Sequence, residues 1–182
     1  MANRLTKIFT KKGDDGSTDI GGNQRVPKYD QTIQVYGSID ELSAAIGLIT
    51  TEKNIPKNIL DFLNGVQQNL FNLSGEISAP QFKSIDEKKV IAIETFIDKL
   101  NERLPPLKDF VVPGVNKSST FTHQSRAICR RAERELFKLA EEKKVNQQSL
   151  KYINRLSDAF FVIARTLARE EGEEKIWNHE RK

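Results

Sequence analysis

From about residue 31 onward, apolar side chains recur at alternating spacings of three and four, the period of a helix with one buried face. Val35, Ile39, Leu42, Ile46 and Ile49 mark a first helix. Ile59, Leu63, Val66, Leu70, Leu73 and Ile77 mark a second, begun near Pro56. Val90, Ile93, Ile97, Leu100 and Leu104 mark a third, with Ser84 and Glu87 at the spacing of a capping box before it. Ile128, Ala132, Leu136 and Leu139 mark a fourth, and Ile153, Leu156, Phe160, Ile163 and Leu167 a fifth. Such stripes are core positions and carry no chemistry. Together with short connections they predict an all-α fold, a five-helix up-and-down bundle. No strand pair competes, although Phe110-Val111-Val112 suits a short extended piece.

Three segments break the periodicity. Residues 1–30 are polar and rich in glycine, and predict an ordered loop rather than a helix. The run from Pro105 through Pro113-Gly114 to Ser119 is stiff and apolar, and such a loop needs something to pack against: the bundle, a ligand or a partner subunit. The tail, residues 173–182, is charged apart from Ile176 and Trp177, which makes Trp177 its anchor. The whole chain, 1–182, is expected to be one domain, with the bundle over 31–172.

Composition narrows the function. A net charge of +4 fits an anionic ligand but is too diffuse to argue for nucleic acid. Cys129 is the one cysteine, which excludes a disulfide framework and a multi-cysteine zinc site and leaves a small buried hydrophobe as its ordinary role. His123 and His179 are too few and too far apart for a histidine metal site, so no metal ligands are assigned. The start, Met1-Ala2-Asn3-Arg4-Leu5, lacks the apolar stretch of a signal peptide, and no apolar run reaches transmembrane length. A cytoplasmic protein without nucleic-acid or membrane partners is expected.

The candidate chemistry lies in four places. In the fourth helix, Arg130, Glu133 and Arg134 share a face, and paired guanidiniums suit a polyphosphate because they fork onto its oxygens and stay charged. A solvated face with ion pairs is the plainer alternative. In the fifth, Asn154 and Asp158 are one turn apart, and Asn154, flanked by core residues, must hydrogen-bond either within the bundle or to a ligand. In the N-terminal loop, Thr10, Lys11, Lys12, Gly13, Gly16 and Thr18 offer hydroxyls, ammonium groups and a bendable backbone, with Arg25 and Lys28 adding charge downstream. It is neither a Walker A loop nor a dinucleotide fingerprint. In the first helix, Gly37 marks close packing or a ligand, and Asp40, at the edge of the apolar stripe, calls for a cationic partner such as Arg130.

Taken together, seven pieces of the chain resemble one family, the PduO-type ATP:cob(I)alamin adenosyltransferases. They are Thr10 to Gly16, Gly22 to Lys28, Tyr36 to Leu42, Gln68 to Glu76, Phe110 to Gly114, Cys129 to Arg134 and Tyr152 to Asp158. The resemblance implies a helical bundle assembled as a homotrimer with sites between subunits. It implies transfer of the 5′-deoxyadenosyl group of ATP to the cobalt of cob(I)alamin or cob(I)yrinic acid a,c-diamide, with Mg²⁺ accompanying the ATP and triphosphate leaving. A flavin-dependent corrinoid reductase is the implied partner. By position, residues 1–30 become an ATP-binding loop in which Thr10, Lys11, Lys12, Gly13, Thr18, Arg25 and Lys28 hold ATP. Arg130, Arg131, Glu133, Arg134 and Asn154 supply further nucleotide contacts. Asp40 pairs with Arg130, across a subunit boundary or within the chain, and Phe110 lies on the corrinoid side. Arg130, Arg134, Asp40 and Phe110 are the residues on which catalysis would rest. The run Pro113 to His123 departs from the family in having one glycine after the proline and Thr122 before the histidine, and the stretch Asp19 to Gln24 lacks an aromatic. Two alternatives from other classes are an ATP- and corrinoid-binding delivery or sensor protein without turnover, and a helical interaction domain with a basic face.

Overall fold

The computed structural model describes residues 8–21 and 24–178. Residues 1–7, Gly22 and His179, on which parts of the sequence analysis fall, lie outside them. Five helices form: α1 (Gln31–Thr50), α2 (Lys57–Ser78), α3 (Glu87–Asn101), α4 (Lys117–Glu142) and α5 (Gln147–Arg169). The stripes of α1 and α5 are buried throughout, as is that of α2 up to Leu73. In α4 the expected Ala132, Leu136 and Leu139 are buried, but the buried face departs from the apolar spacing at its N-terminal half. Cys129, not Ile128, enters the core, in line with Thr122, Ser125, Ala132, Leu136 and Leu139. The hydroxyls on this face are satisfied locally: Thr122 Oγ1 donates to Ser118 O at 2.7 Å, and Ser125 Oγ to Phe121 O at 2.9 Å. Small side chains let α4 lie closely against both α1 and α5.

The lateral order of the helices is α2–α1–α4–α5–α3. The Phe62 and Phe96 rings, stacked with centroids 3.9 Å apart, join α2 to α3 and close the circle. The connections after α1, α2 and α4 are short, and the long one falls on the run from Pro105 already set apart in the sequence. Because α4 is inserted between α1 and α5, the chain crosses from α3 to α4 through the long segment 102–116.

Two local expectations are also corrected. Asp86, not Ser84, caps α3, its carboxylate accepting from Lys89 N–H at 3.0 Å. The Ser84 and Ile85 N–H groups point instead at Glu76, a buried carboxylate of α2 that also accepts from Ser149 Oγ at 2.5 Å and Asn146 Nδ2 at 3.2 Å. The N-terminal loop contains a strand pair: β1 (Ser17–Asp19) runs antiparallel to β2 (Arg25–Pro27), with Thr18 opposite Val26. Gly16 and Gly21 take positive φ at its two turns, where a side chain would be strained. The extended piece expected near Phe110 does form: Val111 bridges Ile176 of the tail in antiparallel fashion. Among the described residues no helix is long and apolar enough to cross a membrane.

Candidate functional site

The hairpin and the residues before it form a cup. Thr10, Lys12, Gly13, Thr18, Arg25 and Lys28, six of the residues expected to hold ATP, line a depression of about 480 Å³ together with Ser17 and Asp19. Its shape is set by backbone bonds. Gly16 N–H donates to Gly13 O at 3.2 Å, and Lys28 N–H donates to Gly16 O at 2.9 Å. A Cβ on Gly13 would sit 3.2 Å from Ser17 O and 3.3 Å from Lys28 Nζ, so glycine lets the Lys28 ammonium lie close over the loop without a shift. Lys11 takes a φ of 60° and lies outside the cup's lining, its carbonyl accepting from Asp14 N–H at 3.3 Å.

Arg25 is committed to the loop itself. Its Nε donates to Ser17 Oγ at 3.1 Å, its Nη2 to Lys12 O at 2.5 Å, and Asp15 lies 3.5 Å away. The Asp15 carboxyl is held below its ordinary range chiefly by the hydrogen bonds it accepts from Ser17.

The second cluster is on α4. Arg126, Arg130 and Arg134 follow one another at intervals of four, a ladder rising about 12 Å along one face. Arg130 and Arg134 are exposed, and among the described residues neither has an ion-pair partner. The expected pair between Asp40 and Arg130 does not form within the chain. Their neighbours pair instead, Arg131 Nη2 donating to Glu41 Oε2 across the α1–α4 contact. Glu133 accepts from Asn154 Nδ2 at 2.7 Å, Asn154 Oδ1 accepts from Arg155 Nη1 at 2.7 Å, and Arg155 Nε donates to Glu94 Oε1 at 2.9 Å. Asn154 thus has partners on both sides of its amide. Cys129, behind the ladder, is buried; burial first, and then Glu133 and Asp158, push its thiol up, and Sγ contacts Ile153 O at 3.4 Å.

The third cluster is a depression of about 730 Å³ between the 102–116 segment and α4. Phe110, 75% exposed, stands at it beside Leu107 and Val111, facing His123, Arg126 and Phe161. The Arg126 guanidinium lies 5.3 Å from the Phe161 ring centre, and His123 meets the same ring edge-on at 6.3 Å. Burial, and then Arg126, push the His123 imidazole below its ordinary value. Arg126 is therefore both the last rung of the ladder and a wall of this pocket.

His123, Arg126 and Phe161 were missed as site residues, although Arg126 is one turn before Arg130 in the same basic run. The buried Arg165 and Glu76 were missed too. Their signal was a charge in a stripe of apolar residues, which must be paired.

Within one chain, among the described residues, the cup and the Phe110 pocket share no lining residue. The start of α1 does tie the hairpin end to the far end of the ladder: Gln31 Nε2 donates to Glu135 O at 3.0 Å and to Glu135 Oε2 at 2.8 Å, one residue past Arg134. Among the described residues no group of three or more histidine, cysteine, aspartate or glutamate side chains is placed to hold a metal ion.

Comparison with known proteins places this arrangement. A family model described as cobalamin adenosyltransferase matches residues 8–167. A cobalamin adenosyltransferase of Cupriavidus metallidurans is 38% identical over 182 residues, covering 100% of this chain and 99% of its own length. The human corrinoid adenosyltransferase MMAB is 35% identical over 187 residues, covering 96% of this chain and 74% of its own. A variant PduO-type ATP:corrinoid adenosyltransferase from Lactobacillus reuteri, solved in complex with cobalamin and ATP, superposes with a TM-score of 0.88 at 33% identity, covering 95% of this chain and 97% of that one.

Proposed function

The chain belongs to the cobalamin adenosyltransferase family, and we infer from that premise how its residues divide the work. It transfers the 5′-deoxyadenosyl group of ATP to the cobalt of cob(I)alamin, giving adenosylcobalamin and triphosphate. Co(I) is the nucleophile. It attacks C5′, the C5′–O bond breaks, and triphosphate leaves with the bonding pair. No side chain has to remove a proton, so catalysis consists of aligning C5′ with cobalt and stabilising charge on the departing oxygens.

The observation that carries the residue assignment is the cup, where six residues expected to meet ATP line one depression. Thr10, Lys12, Gly13, Thr18 and Lys28 grip the nucleotide, Lys11 adds charge from outside the lining, and Arg25 acts by fixing the loop's shape. Arg130 and Arg134, with Arg131 beside them, face the phosphates, while Glu133 holds Asn154 in place for a nucleotide contact. Mg²⁺ would ride on the phosphate oxygens with few protein ligands, its ordinary mode; Asp19 is the carboxylate in the cup. Phe110 covers the lower corrin face and excludes an axial ligand, which makes reduction to Co(I) easier.

The separation of cup and pocket, and Arg130 and Arg134, unpaired among the described residues, suit sites completed between subunits; in the homotrimer that the family resemblance implies, the cup of one subunit meets the ladder of the next, with Asp40 reaching Arg130 across that boundary. A cytoplasmic setting and a flavin-dependent corrinoid reductase as the supplier of Co(I) belong to the same proposal.

The test is to mix the protein with ATP, Mg²⁺ and reduced cob(I)alamin and follow the absorbance change to adenosylcobalamin together with triphosphate release. Binding of both substrates without either signal would favour a delivery or sensor role.

A further inference from the structure

Arg165 lies in α5 with 3% of its surface exposed, inside the apolar run Ala159 to Ala168. A guanidinium so placed needs acceptors around it. Its Nε donates to Glu174 Oε1 at 2.6 Å, and its Nη2 donates to Glu174 Oε2 at 3.1 Å and to Pro105 O at 2.8 Å. The pair is bidentate and buried on both sides, the side chains being 4% and 5% exposed, and Arg169 adds a second cation 3.6 Å from Glu174. Pro105 begins the segment that carries Phe110, and Glu174 begins the C-terminal stretch. One arginine therefore fastens both to the same helix.

Beyond the pair the two stretches run side by side. Val112 N–H donates to Lys175 O at 2.7 Å and Trp177 N–H to Phe110 O at 2.8 Å. The Trp177 ring lies 6.0 Å from the Phe110 ring, tilted by 56°. The Phe110 side chain is mostly exposed, yet its carbonyl and ring both meet the tail.

We propose that Arg165 and Glu174 are positioning residues for adenosyl transfer: they clasp residues 174–177 against the Phe110 segment and so set where Phe110 stands over the corrinoid. This rests on the assignment of the Phe110 pocket to the corrinoid. The ATP cup shares no residue with the clasp, so the effect should be confined to one substrate.

Trp177 is the one tryptophan of the chain, so its emission reports tail docking directly. In the full-length protein, Glu174→Gln should shift that emission to the red without changing far-UV circular dichroism. It should raise the corrinoid KM about tenfold, with the ATP KM within about twofold of wild type. Trp177→Ala leaves the buried pair intact and should also raise the corrinoid KM; it decides the matter if Glu174→Gln does not fold. Unchanged emission in folded Glu174→Gln, or tail release with an unchanged corrinoid KM, overturns the proposal, as do wild-type corrinoid parameters in Trp177→Ala. A wild-type protein that converts no cob(I)alamin would instead overturn the functional reading beneath it.

Discussion

Arg131 of α4 pairs with Glu41 of α1, and the residues beside them, Arg130 and Asp40, are left facing solvent. The closed pair is itself part-exposed, 44% and 55% at the two side chains, so its net worth is small. Glu41→Ala should lower stability by no more than about 1 kcal/mol and leave turnover close to wild type. Asp40→Ala should leave the stability of the isolated chain within about 0.5 kcal/mol but reduce turnover and weaken subunit association. Thermal unfolding, sedimentation and steady-state rates on both variants separate the two roles. Equal rates in Asp40→Ala and wild type would remove Asp40 from the site.

The ladder predicts a graded loss. Arg130→Ala and Arg134→Ala should each cut adenosyl transfer by about tenfold or more, from the loss of charge stabilisation on the leaving triphosphate. Because both side chains are exposed and lack ion-pair partners among the described residues, folding stability should be nearly unchanged. Asn154→Ala should cost both, since Glu133 and Arg155 would each lose a hydrogen bond. Rates and unfolding curves measured together distinguish these patterns.

Phe110→Ala should slow transfer and leave ATP affinity almost intact, because the pocket and the cup have separate linings. Isothermal titration with ATP alongside the absorbance assay checks this. A collapse of ATP binding would make Phe110 a structural residue.

Gly13→Ala should weaken ATP binding while the bundle melts as before. The added methyl meets a backbone oxygen, Ser17 O, at 3.2 Å, which cannot swing aside as a side chain does. ATP titration and circular dichroism on the variant test it.

The His123 imidazole is pushed below its ordinary value of 6.5 by burial first and Arg126 second, with Glu174 opposing. The native state thus binds this proton less readily than the unfolded chain. Its contribution to stability is full above about pH 6.5 and is lost as the pH falls below that, toward the native value, at up to about 1.4 kcal/mol per pH unit. Asp30 is held below its ordinary value of 3.8 by hydrogen bonds from Thr32, so its loss begins only at lower pH. Melting temperatures should fall between about pH 7 and about pH 5.5 in wild type and fall less in His123→Gln.

The five stripes made the bundle legible in the sequence because helical burial repeats at a fixed spacing. The N-terminal half of the α4 face was not legible, since serine, threonine and cysteine at 122, 125 and 129 do not register as an apolar stripe even when they form the buried face. The hairpin escaped because strands of three residues, one ending in Pro27, carry no alternation to detect. The cup residues were expected from their chemistry and from the family resemblance. Which of them line the depression depends on the turn at Gly16 and on the Arg25 bonds to Ser17 and Lys12, which spacing does not encode.

Glu76 has an engineering consequence. Its one carboxylate receives two backbone N–H groups from the α2–α3 linker and two side-chain donors from the start of α5, so the two connections form a single unit. Residues 79–86 look like an ordinary surface loop that would accept an inserted tag. Lengthening the loop near Ser84 would pull donors off a buried anion, and replacing Glu76 by glutamine would aim an amide donor at donors. Loop grafts and fusion points are better placed at 51–54, before Ile55 packs against the core and Pro56 accepts from the first turn of α2.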